Sequence, residues 1–222
     1  NVVATSKQEI PQNISTATAT LNGLFDKTTK KLTYTLAING LTPTVLHLHK
    51  GEVGVSGPVN VTLSATGGIT DAFTAQQETD LFAGSLYLNI HSATYAGGEI
   101  RGQVTTPNQL VFATTANSAA EVPTNSSTAT AAIYTLYNKT AKSLAYTINF
   151  IGVVPTNMHF HKAAIGVSGP VQIAIPGLYV TGMKGEVTLT ADQEVDLFAN
   201  QWYFNLHSAT YAGGEIRGQL VR

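Results

Sequence analysis

Along most of the chain apolar and polar residues change places at every second position, in short runs separated by turn-forming residues. From Lys31 the apolar positions are Leu32, Tyr34, Leu36 and Ile38, and the run stops at Asn39-Gly40. Leu46 and Leu48, then Val59, Val61 and Leu63, then Leu86, Leu88 and Ile90 continue the period of two. Successive side chains of a strand point to opposite faces, so each run predicts a strand with one apolar and one polar face. Many such strands with turn signals between them predict an antiparallel sandwich or barrel. One stretch breaks the pattern in a helical way. Thr74-Ala-Gln-Gln77 and Thr190-Ala-Asp-Gln193 both fit a capping box, and Gly84 or Asn200 follows each Leu-Phe-Ala, which predicts one or two helical turns at each place.

The whole pattern is written twice. Glu9-Ile-Pro returns as Glu121-Val-Pro and His47-Leu-His-Lys as His159-Phe-His-Lys, both 112 positions later. The run His91-Ser-Ala-Thr-Tyr-Ala-Gly-Gly-Glu-Ile-Arg-Gly returns unchanged at His207, now 116 positions later, so four residues have entered the second copy around Pro176-Gly177-Leu178-Tyr179. A repeat this long sets domain count and architecture together. We expect an all-β protein of two tandem domains, 1–106 and 107–222, joined near Thr105-Thr106-Pro107-Asn108.

Composition removes several functions. With 43% hydrophobic residues, 11% charged residues and a net charge of -1, the chain is neither disordered nor built to hold a polyanion, and nucleic acid is not an expected partner. It has no cysteine, which excludes a disulfide framework, a thiolate nucleophile and a sulfur-ligated metal. No apolar run approaches the length of a membrane span. The sequence opens at Asn1 without a signal-like apolar stretch, which reads as a mature or trimmed chain. No Ser-His-Asp order, paired-carboxylate motif or phosphate loop stands out, so hydrolase chemistry has no support.

The candidate chemistry lies in the histidines. All six fall into two matched sets, His47, His49 and His91 in the first copy and His159, His161 and His207 in the second. Side chains at i and i+2 of a strand share a face about 6.5 Å apart, close enough for two imidazoles to converge on one ion. A third from another strand completes an open three-histidine site. Parity places it: Leu46 and Leu48, or Met158 and Phe160, face the core, so the imidazoles face the other, polar side. His91 shares that side with Tyr87 and Asn89, and His207 lies opposite Trp202, Phe204 and Leu206. We therefore expect a solvent-reachable site. A lone histidine more commonly serves a loop as a hydrogen-bonding group, whereas three per copy at chelating spacing point to metal. Imidazole ligands suit copper first and zinc second.

Other repeated residues surround the histidines. Glu99 and Arg101, repeated as Glu215 and Arg217, alternate with an isoleucine on the face of the third histidine. They form either a second layer that orients an imidazole or a cross-strand ion pair. Glu9 and Glu121 either hold a strand end or approach the metal. Tyr95 and Tyr211 follow the third histidine, where they cover the site, bind a partner or do neither. Met158, Lys50 and Lys162 are not counted as ligands.

The segments His47-Leu-His-Lys-Gly, Ser56-Gly-Pro-Val, Tyr87-Leu-Asn-Ile-His-Ser and Gly98-Glu-Ile-Arg-Gly-Gln resemble the CHRD domain, the repeat named after chordin, over nearly the whole of both copies. That resemblance implies an exported binding module, whether periplasmic, cell-surface or secreted. The His-x-His pair, the distant histidine and the Gly-Glu-Ile-Arg-Gly strand are also similar to the Cu,Zn superoxide dismutases. This second likeness implies a Greek-key sandwich holding copper through histidines. It departs from that family in having no histidine between His49 and His91 or between His161 and His207, so a zinc subsite and a bridging imidazolate are missing. The expected function is copper capture, storage or delivery, with the metal ion and another exported protein as partners. A non-metal adhesion or ligand-binding module and a copper oxidoreductase are the alternatives.

Overall fold

A computed structural model describes residues 1–221, and the chain divides into two compact units, Asn1–Gln109 and Leu110–Arg222. The first carries β1 (Val2–Thr5), β2 (Thr18–Asp26), β3 (Lys31–Asn39), β4 (Pro43–Lys50), β5 (Val59–Leu63), β6 (Gly68–Ile69), α1 (Ala75–Ala83), β7 (Leu86–Ser92) and β8 (Ile100–Gln103). The second repeats them as β9 (Gln109–Asn117), β10 (Thr130–Asn138), β11 (Ser143–Ile151), β12 (Pro155–Lys162), β13 (Val171–Ala174), β14 (Met183–Thr188), α2 (Ala191–Phe198), β15 (Trp202–Ser208) and β16 (Ile216–Gln219). The all-β, tandem, antiparallel expectation is met.

In the first unit the strands hydrogen-bond in the order β5-β4-β7-β8-β1-β2-β3-β6, and in the second in the equivalent order β13-β12-β15-β16-β9-β10-β11-β14. Chain neighbours β3 and β4 lie near opposite ends of this order while β4 sits beside β7, the crossed connection that defines a Greek key. The sheet wraps around one core. Leu46, Leu48, Leu88 and Ile90 from one half meet Val2, Ala19, Leu21 and Leu32 from the other. The second unit does the same with Met158, Phe160, Trp202, Phe204 and Leu206 against Phe112, Ile133, Leu144 and Ile148. Each large apolar side chain removed from water stabilises by about 1.5–3 kcal/mol. That gain locks the parity, because a slip by one residue would send every one of them to the wrong face.

Both helices begin on the expected capping box: Thr74 Oγ1 accepts from the Gln77 amide, and the Gln77 side chain accepts from the Thr74 amide, with Thr190 and Gln193 doing the same. Gly84 ends α1 in the left-handed conformation, and Asn200 takes that conformation after α2. Each helix is pinned to the strand that carries the histidine pair, by Lys50–Asp80 at 3.0 Å and Lys162–Asp196 at 2.7 Å. The extra residues of the second copy fall between β13 and β14, where the Tyr179 hydroxyl donates to Ile175 O at 3.1 Å.

Candidate metal centre

β4 pairs with β7 so that His47 faces Asn89, His49 faces Tyr87 and His91 faces Val45; His91 therefore stands diagonally from His47 on the same side of the sheet. The ring centres of His47 lie 5.3 Å from His49 and 5.4 Å from His91. In the second unit His159 stands 5.3 Å from His161 and 5.1 Å from His207. One ring nitrogen of each histidine lies within 4.8 Å of those of its two companions, and these two triads are the metal-competent groups among the described residues. Met158 is buried in the core and Lys50 and Lys162 are engaged with the helices, so all three stand apart from the triads.

The backbone decides which nitrogens converge. His49 donates from Nδ1 to Gly57 O at 2.9 Å and His91 from Nδ1 to Ala96 O at 2.9 Å. In the second unit His161 donates to Gly169 O and His207 to Ala212 O, both at 3.0 Å. A carbonyl oxygen only accepts, so Nδ1 carries a proton in each of these rings, and in the neutral imidazole the lone pair is then on Nε2. The Nε2 atoms of His49, His91 and His161 and the Nδ1 of His47 are buried without a hydrogen-bond partner. In the second triad His159 Nδ1 and His207 Nε2 hydrogen-bond each other at 3.2 Å, a separation that two bonds of about 2.0 Å to one ion would also span. A buried polar atom left unpaired costs about 1–3 kcal/mol. Converged, unpaired lone pairs held in place by outer hydrogen bonds are what a metal ion requires.

Electrostatics agree with that role. Burial pushes the His47 and His49 imidazoles below their usual value; neighbouring histidines add to this, and Arg101 also lowers His49, against the opposing Gly57 bond. His159 and His161 are lowered likewise, by burial first and then by the neighbouring histidines, with Arg217 acting on His161. Neutral imidazole is the form that ligates.

The triad face is less open than strand parity predicts, although His47, His49, His159 and His207 are only half-buried. Every residue of β7 is buried on both of its faces, and His91 and His161 are only 8% and 9% exposed. Parity is correct, but it cannot see the segments that return over the sheet. These are the 51–58 loop, the 92–98 hairpin and the segment that follows β1.

Glu99 and Arg101 share the face of His91 but do not orient it. Glu99 accepts from Ser15 Oγ at 2.6 Å and from Ser92 Oγ, while Glu215 accepts from Ser127 Oγ at 2.6 Å. Arg101 donates to Val55 O and Glu52 O, both at 3.0 Å, and Arg217 donates to Ala164 O at 3.2 Å. The expected carboxylate partner of the third histidine is instead the backbone carbonyl of the hairpin. Tyr95 and Tyr211 close that hairpin through their backbone carbonyls, which accept from Ser92 and Gly98 in one copy and from Ser208 and Gly214 in the other. Glu9 and Glu121 are buried below the site, where Glu9 Oε1 accepts from Ile10 N at 3.0 Å and Glu121 bonds Asn205. Burial raises both carboxyls, against the opposing hydrogen bonds and the nearby arginine.

Four participants escaped the sequence reading. Tyr87 stacks on His49 with ring centres 5.1 Å apart, and its hydroxyl accepts from the Gly57 amide at 3.0 Å; Tyr203 repeats this on His161 at 4.9 Å and on Gly169 at 3.1 Å. Gly57 and Gly169 are the other two. Their signal was the unchanged Ser-Gly-Pro and the Tyr-x-Asn-x-His kept in both copies. The family model of the CHRD domain matches residues 1–104 and again 112–220. The chain belongs to the CHRD family. No curated protein and no solved structure matches the chain. Each CHRD domain thus carries one complete triad, on β4 and β7 or on β12 and β15. Among the described residues no helix is long and apolar enough to cross a membrane.

Proposed function

We propose that each CHRD domain binds one copper ion through its three histidines, and that the protein is an exported one that captures, stores or delivers copper. The observation that supports this most is the convergence of three imidazoles in each domain, with the Nε2 atoms of His49, His91 and His161 buried without partners while the opposite nitrogens of those rings donate to backbone carbonyls. The set is all nitrogen and neutral, which matches copper and ranks zinc below it at a site of comparable geometry. Three protein ligands leave a coordination position open, which suits passing the ion to or from another exported protein.

The reading is tested by copper retained after loading and desalting. Wild type should keep close to one ion per domain, and the paired variant His91→Ala with His207→Ala should keep almost none. Equal retention by the two proteins would place the metal elsewhere and defeat the proposal.

A further inference from the structure

The two triads share their ligands but differ at the position beside them. Val45 pairs with His91 across β4 and β7, and Asn157 pairs with His207 across β12 and β15. Directly opposed residues of antiparallel strands present their side chains to one face, about 4.5–5.5 Å apart. Val45 and Asn157 also stand two residues before His47 and His159, so they share that face a second time over. The triad is therefore bordered by an apolar side chain in the first domain and by a primary amide in the second. The third histidine differs in the same direction, since His91 is buried and His207 half-buried.

The amide of Asn157 is held in place. Its Oδ1 accepts from the Met158 amide at 3.2 Å and from the Tyr179 hydroxyl at 3.1 Å, which shares its proton with Ile175 O, also at 3.1 Å. Tyr179 belongs to the extra segment of the second copy and packs against the core, whereas residues 59–72 of the first domain contain no tyrosine. With Oδ1 bonded twice the amide is oriented, and its Nδ2 makes no hydrogen bond among the described residues. Asn157 is exposed, so this donor is open to an incoming molecule.

We propose that the second site, and not the first, takes up a small anion at the open position of its copper, with Asn157 Nδ2 donating to that anion and Tyr179 positioning the amide. This rests on the copper reading above. Three imidazoles are neutral ligands, so an anion brings the first negative charge bonded to the ion itself. An N–H donor beside it then makes a charge-assisted hydrogen bond, which is stronger than one between neutral groups. The valine of the first domain has no donor to offer. The buried Glu9, Glu99 and Arg101 return as Glu121, Glu215 and Arg217, so these charges do not separate the two sites.

The test uses the full chain loaded with Cu(II) in one domain at a time, and azide as the probe, read by its charge-transfer absorption. The variant His91→Ala leaves the second site intact and His207→Ala leaves the first. The azide dissociation constant should be about fivefold lower at the second site, the worth of one hydrogen bond. Adding Asn157→Val to the His91→Ala chain should raise it to the value of the first site. Adding Tyr179→Phe instead should raise it in the same direction, with copper content unchanged in both. These changes are made within one domain, so the difference between Glu52 and Ala164 on the flanking loops does not enter. Equal azide constants at the two sites, or a second site indifferent to Asn157→Val or to Tyr179→Phe, overturns the proposal. If Asn157→Val loses copper, Tyr179→Phe decides: weaker azide binding supports the proposal and unchanged binding overturns it. Copper bound at both sites with no azide preference sinks this inference alone, whereas wild type that retains no copper sinks the copper reading and the inference with it.

Discussion

His49 gives its Nδ1 hydrogen to the Gly57 carbonyl at 2.9 Å, and that one bond decides which ring nitrogen turns toward the other two histidines. Gly57 is held in turn by the Tyr87 hydroxyl, and a Cβ built at Gly57 would overlap the carbonyl oxygen of Lys50. Gly169 meets the same obstacle at Lys162. Changing both glycines to Ala must therefore displace the loop and release the rings of His49 and His161. Losing an outer partner of a ligating histidine typically weakens binding about 10–100-fold. A competition titration should find a loss of that size, and unchanged affinity would show that the loop does not set the donor.

Acid should weaken the metal-free fold through the same rings. Burial holds His47, His49, His159 and His161 below their ordinary value of 6.5, so below that pH the unfolded chain takes up protons that the folded chain does not. Stability then falls as pH drops from 6.5 through the folded-state values, and this contribution is constant above pH 6.5. Urea midpoints of wild type and of His49→Gln with His161→Gln, compared at several pH values, read the effect. The stability advantage of wild type over the variant should shrink between about pH 6.5 and pH 5. An advantage that stays constant across that window would contradict the assigned shifts.

Adjacent residues on β15 should separate fold from site. Leu206 is in the core and His207 points the other way, so Leu206→Ala should cost about 2–5 kcal/mol in urea unfolding followed by Trp202 fluorescence. His207→Ala should cost far less stability and remove the ion of the second domain. Similar stability losses for both would mean that parity does not divide the strand this way.

How much of this was legible in the sequence depends on how local the cause is. The strand at Lys31–Asn39 and the helix from Thr74 were readable because period and capping act over a few residues. The repeat made the pairing of His47 and His49 with His91 readable, since it presented the same three residues twice. Strand order was not readable, because the placement of β4 beside β7 is settled by the shared core rather than by either segment. The covering of the triad failed for the same reason: the carbonyls of Gly57 and Ala96 reach the rings from loops, and no pattern within β7 records them. Glu99 looked like a partner for His91 because it has the right face and charge, but Ser15 and Ser92 claim its oxygens.

In the proposed centre three imidazoles of each domain hold one copper ion. Its most direct test is the electron paramagnetic resonance spectrum of Cu(II)-loaded, desalted protein together with its copper content. Loaded protein should hold two ions per chain with nitrogen splitting from three imidazole donors at each, lost from one domain when His91 alone becomes Ala and from the other when His207 does. Well under one ion per domain, or a spectrum without nitrogen splitting that ignores both substitutions, would contradict it.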